Sequence, residues 1–177
     1  MKQKLDSTRE GFGRGLLKAG ANKKVVSVNA DLSESCRTVD FKKKYPGRFI
    51  DAGVAEQNLM GVAAGLAIAG KIPFVSSFAC FSPARNFDQL RISVCYSNLN
   101  VKIEGSHAGL ITGEDGASHQ ALEDIALMRV LANMNIIVPG DAPQTEDAVM
   151  AAAVKTGGQG VTCAEECIRP AIKAHIA

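Results

Sequence analysis

The chain has 177 residues, 46% of them hydrophobic and 21% charged, with a formal net charge of +2. That is the length of one domain with a core of its own, and it excludes a disordered chain, a collagen-like repeat and a coiled coil. So even a charge balance offers nothing to nucleic acid, a membrane surface or another polyanion, and none of these is expected as a partner.

In chain order, Ser7 to Ala19 reads as a helix, with Ser7 or Thr8 as N-cap and Gly20 as the stop. Lys24 to Asn29 is a β-branched run of strand length. Ser33 to Arg48 is polar and reads as loop plus a short helix, with Lys42-Lys43-Lys44 as a solvated face. Arg48 to Gly53 is a second strand, and Glu56 to Ala69 a helix with small residues on several faces, which points to close packing. Pro73 to Phe78 is a third strand. Pro83 to Tyr96 is an amphipathic helix with Pro83 in its first turn. Asn100 to Glu104 is a fourth strand, and His107 to Gln120 a glycine-containing loop without periodicity. Ala121 to Leu131 is a helix, Ile136 to Val138 a strand, Thr145 to Lys155 a helix ending at Gly157-Gly158, and Gly160 to Cys163 a last short strand.

This alternation specifies an α/β fold, a mostly parallel twisted sheet with helices on both faces, as one domain over residues 1–177. Ligands of such sheets meet the loops after the carboxyl ends of the strands. Here those are Ala30 to Ser35, Gly53 to Glu56 and His107 to His119. The most apolar run, Gly61 to Gly70, is about half of the roughly 20 residues a membrane span needs. Met1 to Glu10 lacks the apolar segment of a secretory signal. Five cysteines without a Cys-x-x-Cys pair fit free thiols in a reducing cytoplasm, and no metal site is expected in the chain.

Chemistry-bearing residues gather in the same loops. Glu56, in Asp51-Ala-Gly-Val-Ala-Glu-Gln-Asn58, stands at a strand-to-helix junction. One reading is a carboxylate placed to meet the helix dipole. The other is a carboxylate walled by Val54, Leu59 and Met60, where desolvation favours sharing a proton. Phe78 and Phe81 are either core or a platform for a flat ligand. His107, Glu114, Asp115 and His119 share one loop, which suits hydroxyl recognition, proton transfer or a metal. There is no Gly-x-Gly-x-x-Gly after the first strand and no phosphate loop, so the chain lacks a standard grip for a diphosphate.

Together, Asp51 to Asn58, Ser77-Phe-Ala-Cys-Phe81, Arg85-Asn-Phe-Asp-Gln-Leu-Arg91 and Gly113-Glu-Asp-Gly-Ala-Ser-His-Gln120 resemble the pyrimidine-binding domain of transketolases, from about Glu10 to Pro139. The resemblance is nearest to the C-terminal subunit of split, two-subunit transketolases. It implies thiamine diphosphate as cofactor, with Mg²⁺ held mainly by the diphosphate-binding domain of a partner. It implies that Glu56 hydrogen-bonds N1′ of the aminopyrimidine, favouring the tautomer that takes the thiazolium C2 proton. A two-carbon ketol unit then passes from a ketose phosphate to an aldose phosphate. Phe78 and Phe81 match the aromatic wall around the pyrimidine, with Ala84 where some members carry a third ring. Asp31 matches a loop residue near the cofactor, and His107, Asp115 and His119 match residues that contact the sugar oxygens, which makes His107 and His119 catalytic candidates beside Glu56, for proton shuttling and oxyanion stabilisation.

Deoxyxylulose-phosphate synthase and the β-subunits of 2-oxo acid dehydrogenases share the domain, but His107 and Gly-Glu-Asp-Gly favour transketolase. The family's Gly-Asp-Gly…Asn diphosphate motif does not occur in the sequence, its C-terminal domain is expected to be absent from the chain, and Thr162 to Ala177 matches the family's usual last strand poorly. The expectation is half a site, in a homodimer or a heterotetramer with an N-terminal, diphosphate-binding subunit. The alternative is a non-catalytic or truncated domain that serves as an assembly partner.

Overall fold

The structure, a computed structural model, describes residues 6–110, 112–155 and 159–164. Six strands form one parallel sheet: β1 (Val25–Asn29), β2 (Phe49–Asp51), β3 (Ile72–Phe78), β4 (Lys102–Ala108), β5 (Asn135–Ile137) and β6 (Gln159–Ala164), in the order β2-β1-β3-β4-β6-β5. Period-two alternation sends successive residues to opposite faces. Val26, Val28, Val75 and Ile103 enter one core with Leu59, Met60, Leu90, Val94 and Met128. Val25 and Phe74 enter the other with Phe12, Leu16, Phe41 and Val149. The first core lies under α3 (Glu56–Ile68), the helix over 87–96 and α5 (Asp124–Arg129). The second lies under α1 (Thr8–Ala19), α2 (Val39–Lys44) and α6 (Ala142–Val154). Both faces are covered, as a parallel sheet requires.

Two glycines let α1 approach α6 closely. A Cβ at Gly11 would lie 2.1 Å from the Ala142 carbonyl oxygen, and one at Gly15 2.8 Å from Val149 Cβ. Across the same seam Arg14 Nε meets Glu146 Oε2 at 3.1 Å, and Lys18 also pairs with Glu146. A polar row crosses the second face near the carboxyl edge, where Asn29, Ser76 and Glu104 stand in register on β1, β3 and β4.

Four boundaries differ from the sequence expectation. The helix expected from Pro83 begins at Phe87 and continues as π-helix over Leu90–Tyr96. Residues before it form turns, with Asn86 Nδ2 donating to Ser82 Oγ (3.0 Å) and to the Glu56 carbonyl (3.2 Å). Tertiary partners override the helical period there. The fourth strand runs on to Ala108, so His107 is a strand residue rather than a loop residue. The helix expected from Ala121 is shorter, Asp124–Arg129. The last helix starts at Ala142, because the Asp141 side chain accepts from Gln144 N at 2.9 Å and Pro143 suits a first turn. The expected stop at Gly157-Gly158, the side chain of Cys163, and Cys167 lie outside the described residues.

The small residues of α3 pack on one side only. Leu59, Met60, Ala63 and Ala64 are buried, while Gly61, Gly65 and Ile68 are exposed, and a Cβ on either glycine would meet nothing within 4 Å. Among the described residues no helix is long and apolar enough to cross a membrane, no group of side chains is arranged to hold a metal, and Cys36, Cys80 and Cys95 are in no disulfide.

Candidate functional site

The carboxyl ends of β1 to β4 deliver the predicted residues to one edge of the sheet. After β2 the chain turns at Gly53 (φ 70°), a left-handed position that suits glycine, and α3 starts on Glu56. Glu56 is 6% exposed, in the first turn, where the helix dipole favours negative charge. Phe78 ends β3 and Phe81 follows in the next turn. His107 comes from β4, and the 3-10 segment Gly113–His119, turning at Gly113 (φ 68°) and Gly116 (φ 69°), carries His119.

Ring contacts join these residues into one continuous surface. Phe78 and Phe81 lie near-parallel, centroids 5.7 Å apart at 11°. The His107 ring stacks on Phe78 at 3.8 Å and 30°. His119 stands edge-on to both phenylalanines, at 6.2 and 5.3 Å. Beyond Phe81 lies Arg85, its Cζ 4.0 Å from the Phe81 centroid, and its Nη1 donates to Glu56 Oε1 at 3.2 Å. A cleft of about 530 Å³, lined by Ala55, Glu56, Gln57, Asn58 and Arg85, opens at this pair.

His107 is set by a local irregularity. The register of β4 against β6 shifts between Gly105 and Ala108, and His107 has φ 56°. A bulge re-aims a side chain at the cost of local strain of order 1–3 kcal/mol. The ring is buried, its Nδ1 2.7 Å from Ser106 Oγ and its Nε2 3.4 Å from Arg9 Nη1. Burial, then the Arg9 charge, lower its pKa to about 4, against a smaller opposing pull from Asp115. His107 is therefore neutral near pH 7.

The pyrimidine-binding domain of transketolase matches residues 7–163. A protein named as a transketolase C-terminal section from Methanocaldococcus jannaschii is 48% identical over 150 residues, 84% of this chain and 48% of that protein. The chain belongs to the transketolase family. One of the subunits of the apulose-4-phosphate transketolase of Phocaeicola vulgatus is 41% identical, over 84% of this chain and 48% of its own length. A split-gene transketolase solved as an inactive β4 tetramer superposes with a TM-score of 0.82 at 51% identity, covering 92% of this chain and 53% of that one. The chain thus spans about half the length of the split relatives it matches. Thiamine diphosphate dependence is what membership of the transketolase family implies.

Within this transketolase domain the structure brings together Glu56, Phe78, Phe81, His107 and His119. Asp115 and Glu114 are exposed on the 113–119 turn, Asp115 near enough to act on the charge of His107. Asp31 (φ 60°) is exposed, its N–H donating to Asp51 Oδ1 at 2.9 Å. Asp51 also accepts from Gly53 N at 3.1 Å, so it ties the first two loops together. The apolar enclosure expected for Glu56 is absent. Leu59 and Met60 face the core, Val54 is 72% exposed, and the group that meets the carboxylate is Arg85.

The sequence reading assigned Arg85 no role, although its spacing of four from Phe81 was a usable signal. Arg9, 98 residues from His107, carried no sequence signal.

Proposed function

We propose that the chain is the pyrimidine-binding half-subunit of a split transketolase, which moves a two-carbon ketol unit between sugar phosphates together with a diphosphate-binding partner. The observation that carries this is the Glu56–Arg85–Phe81 unit. A planar N–H donor lies on an aromatic ring and donates to a buried carboxylate. An aminopyrimidine asks for the same two things, a ring face and an acceptor for N1′. The residues therefore fit thiamine diphosphate, and Arg85 holds its place in the chain alone.

When bound, the cofactor supplies the electron sink for carbon–carbon bond cleavage and formation. Glu56 serves as the acceptor that orients the aminopyrimidine and governs its tautomer. Phe78 and Phe81 wall the ring and keep water from it. His107, neutral, contacts a sugar hydroxyl where Arg9 Nη1 now lies 3.4 Å from its Nε2, and does not act as a charged acid. His119, edge-on to the phenylalanines, and Asp115 on the same turn complete the substrate contacts. Asp31 borders the cofactor from the β1 loop. Mg²⁺ and the diphosphate fall to the partner.

The exposed Gly61, Gly65 and Ile68, on the helix that Glu56 opens, support α3 as a subunit interface, in a homodimer core or a heterotetramer. The related split-gene protein solved as an inactive tetramer of one subunit type supports inactivity without the partner. A cytoplasmic location belongs to the same proposal, supported by Cys36, Cys80 and Cys95, which are in no disulfide among the described residues.

Reconstitution tests the proposal. The chain, mixed with the diphosphate-binding subunit, thiamine diphosphate and Mg²⁺, should transfer ketol units from a ketose phosphate, and Glu56→Gln should abolish transfer without unfolding the chain. A folded mixture without transfer, or transfer that survives Glu56→Gln, would overturn it.

A further inference from the structure

Packing does little to fix the connection between β2 and Glu56. Gly53 turns there with φ 70°, a Cβ on it would meet nothing within 4 Å, and the next residue, Val54, is exposed. A glycine in open space has the widest choice of backbone conformations. Hydrogen bonds must therefore decide how the chain enters α3.

Those bonds start at Asp51. It ends β2, in register with Asn29 at the end of β1. Its Oδ1 accepts from two backbone N–H groups, Gly53 at 3.1 Å and Asp31 at 2.9 Å. The Gly53 carbonyl in turn accepts from Ala55 N at 2.8 Å, and the next residue is Glu56. From the other direction Asn86 Nδ2 donates to the Glu56 carbonyl at 3.2 Å. Among the described residues, no side chain but Asp51 bonds the backbone of 52–55. The second bond also has a task. Asp31 holds φ 60°, an uncommon conformation for a residue with a side chain. Two acceptors keep it there: Asp51 on its own N–H, and Asn29 Oδ1 on the N–H of Leu32 at 2.6 Å. One oxygen thus sets the entry to α3 and the loop after β1 at once.

We infer that Asp51 is a positioning residue for Glu56: its Oδ1 locks the turn between β2 and α3 to the loop after β1, and so fixes where the Glu56 carboxylate stands against Phe81 and Arg85. This rests on the reading of Glu56 as the cofactor's acceptor for its functional consequence only. The lock itself is independent of any activity.

Asp51 is exposed, so its variants should fold. Asp51→Asn keeps an acceptor oxygen in place, and Asp51→Ala removes it. Amide exchange followed by NMR on the ¹⁵N-labelled chain reads the lock. The Asp31 and Gly53 amides should exchange slowly in wild type and in Asp51→Asn, and should speed up together in Asp51→Ala. Melting points read the effect on Glu56. Arg85 pairs with Glu56 and Phe81 and not with Asp51, so unlinked effects of Asp51→Ala and Arg85→Met would add. Positioning predicts that Arg85→Met lowers the melting point less in Asp51→Ala than in wild type. In the mixture with the diphosphate-binding subunit and Mg²⁺, Asp51→Ala should weaken thiamine diphosphate about 3- to 10-fold, the weight of one ordinary hydrogen bond. Asp51→Asn should bind like wild type. Fast exchange of either amide in wild type, additive melting shifts, or equal affinity loss in Asp51→Asn and Asp51→Ala would overturn the inference. A wild-type mixture that binds no cofactor would count against the transketolase reading, and exchange and melting would then decide the role of Asp51.

Discussion

Removing Arg85 should destabilise the isolated chain and tighten its hold on an aminopyrimidine. The guanidinium makes one charged hydrogen bond to Glu56 at 3.2 Å and one cation–π contact to Phe81 at 4.0 Å. Arg85 is 51% exposed and Glu56 only 6%, so solvent weakens the pair from one side. An exposed ion pair contributes about 0.2–1 kcal/mol and an exposed cation–π contact about 0.5–1 kcal/mol. Together they predict a loss of about 1–2 kcal/mol for Arg85→Met, or a melting point lower by roughly 2–8 °C for a chain of this size. Thermal unfolding followed by circular dichroism measures it. The same energy opposes any ligand that must displace the guanidinium from Glu56 and Phe81. Arg85→Met should therefore bind thiamine diphosphate about 5- to 30-fold more tightly when the partner subunit is present. Unchanged melting together with weaker binding would refute the displacement argument and make Arg85 a ligand contact.

Acidification should destabilise the chain through His107. Its folded pKa of about 4 lies below the unfolded value near 6.5, so the unfolded state binds more protons in between. The stabilisation is complete above pH 6.5 and is lost as pH falls toward 4, worth about 3 kcal/mol in all. Urea titrations of wild type and His107→Asn should show that slope only in the wild type. Glu104→Gln has the opposite sign, because a carboxyl with a raised folded pKa stabilises at low pH and stops doing so as pH rises above the unfolded value. That variant should gain stability over wild type at pH 8 and lose the advantage near pH 5, in the same urea titrations. Gly11→Ala should cost at least about 1–3 kcal/mol by driving a methyl onto the Ala142 carbonyl, read as a lower urea midpoint. Gly61→Leu, on the open face of α3, should leave folding intact and reduce the assembly to monomer in light scattering.

Alternating apolar runs made the sheet and both of its covered faces legible, because period two and the 3.6-residue helical period are properties of the chain itself. The strand-to-helix junction at Glu56 and the strand end at Phe78 were legible for the same reason. What escaped was decided across space. The bulge at His107 depends on how β4 pairs with β6, which no local pattern encodes. The turns before Phe87 depend on Asn86 reaching the carbonyl of Glu56, 30 residues earlier. Arg9 and Arg85 were given no role from sequence, and only the fold sets one against His107 and the other between Phe81 and Glu56. Expecting an apolar wall at Glu56 from Val54, Leu59 and Met60 mistook neighbours in sequence for neighbours in space, since a helix turns two of the three into the core.

The central claim is that this chain carries one half of a thiamine diphosphate site. Calorimetric titration of thiamine diphosphate and Mg²⁺ into the chain alone, into its mixture with the diphosphate-binding subunit, and into the same mixture with Glu56→Gln tests it most directly. The account predicts tight binding in the mixture only, with affinity reduced at least tenfold by Glu56→Gln, since a charged acceptor facing a buried donor contributes about 1.5–3 kcal/mol. A folded mixture that binds nothing, or binds equally well with Glu56→Gln, would contradict it.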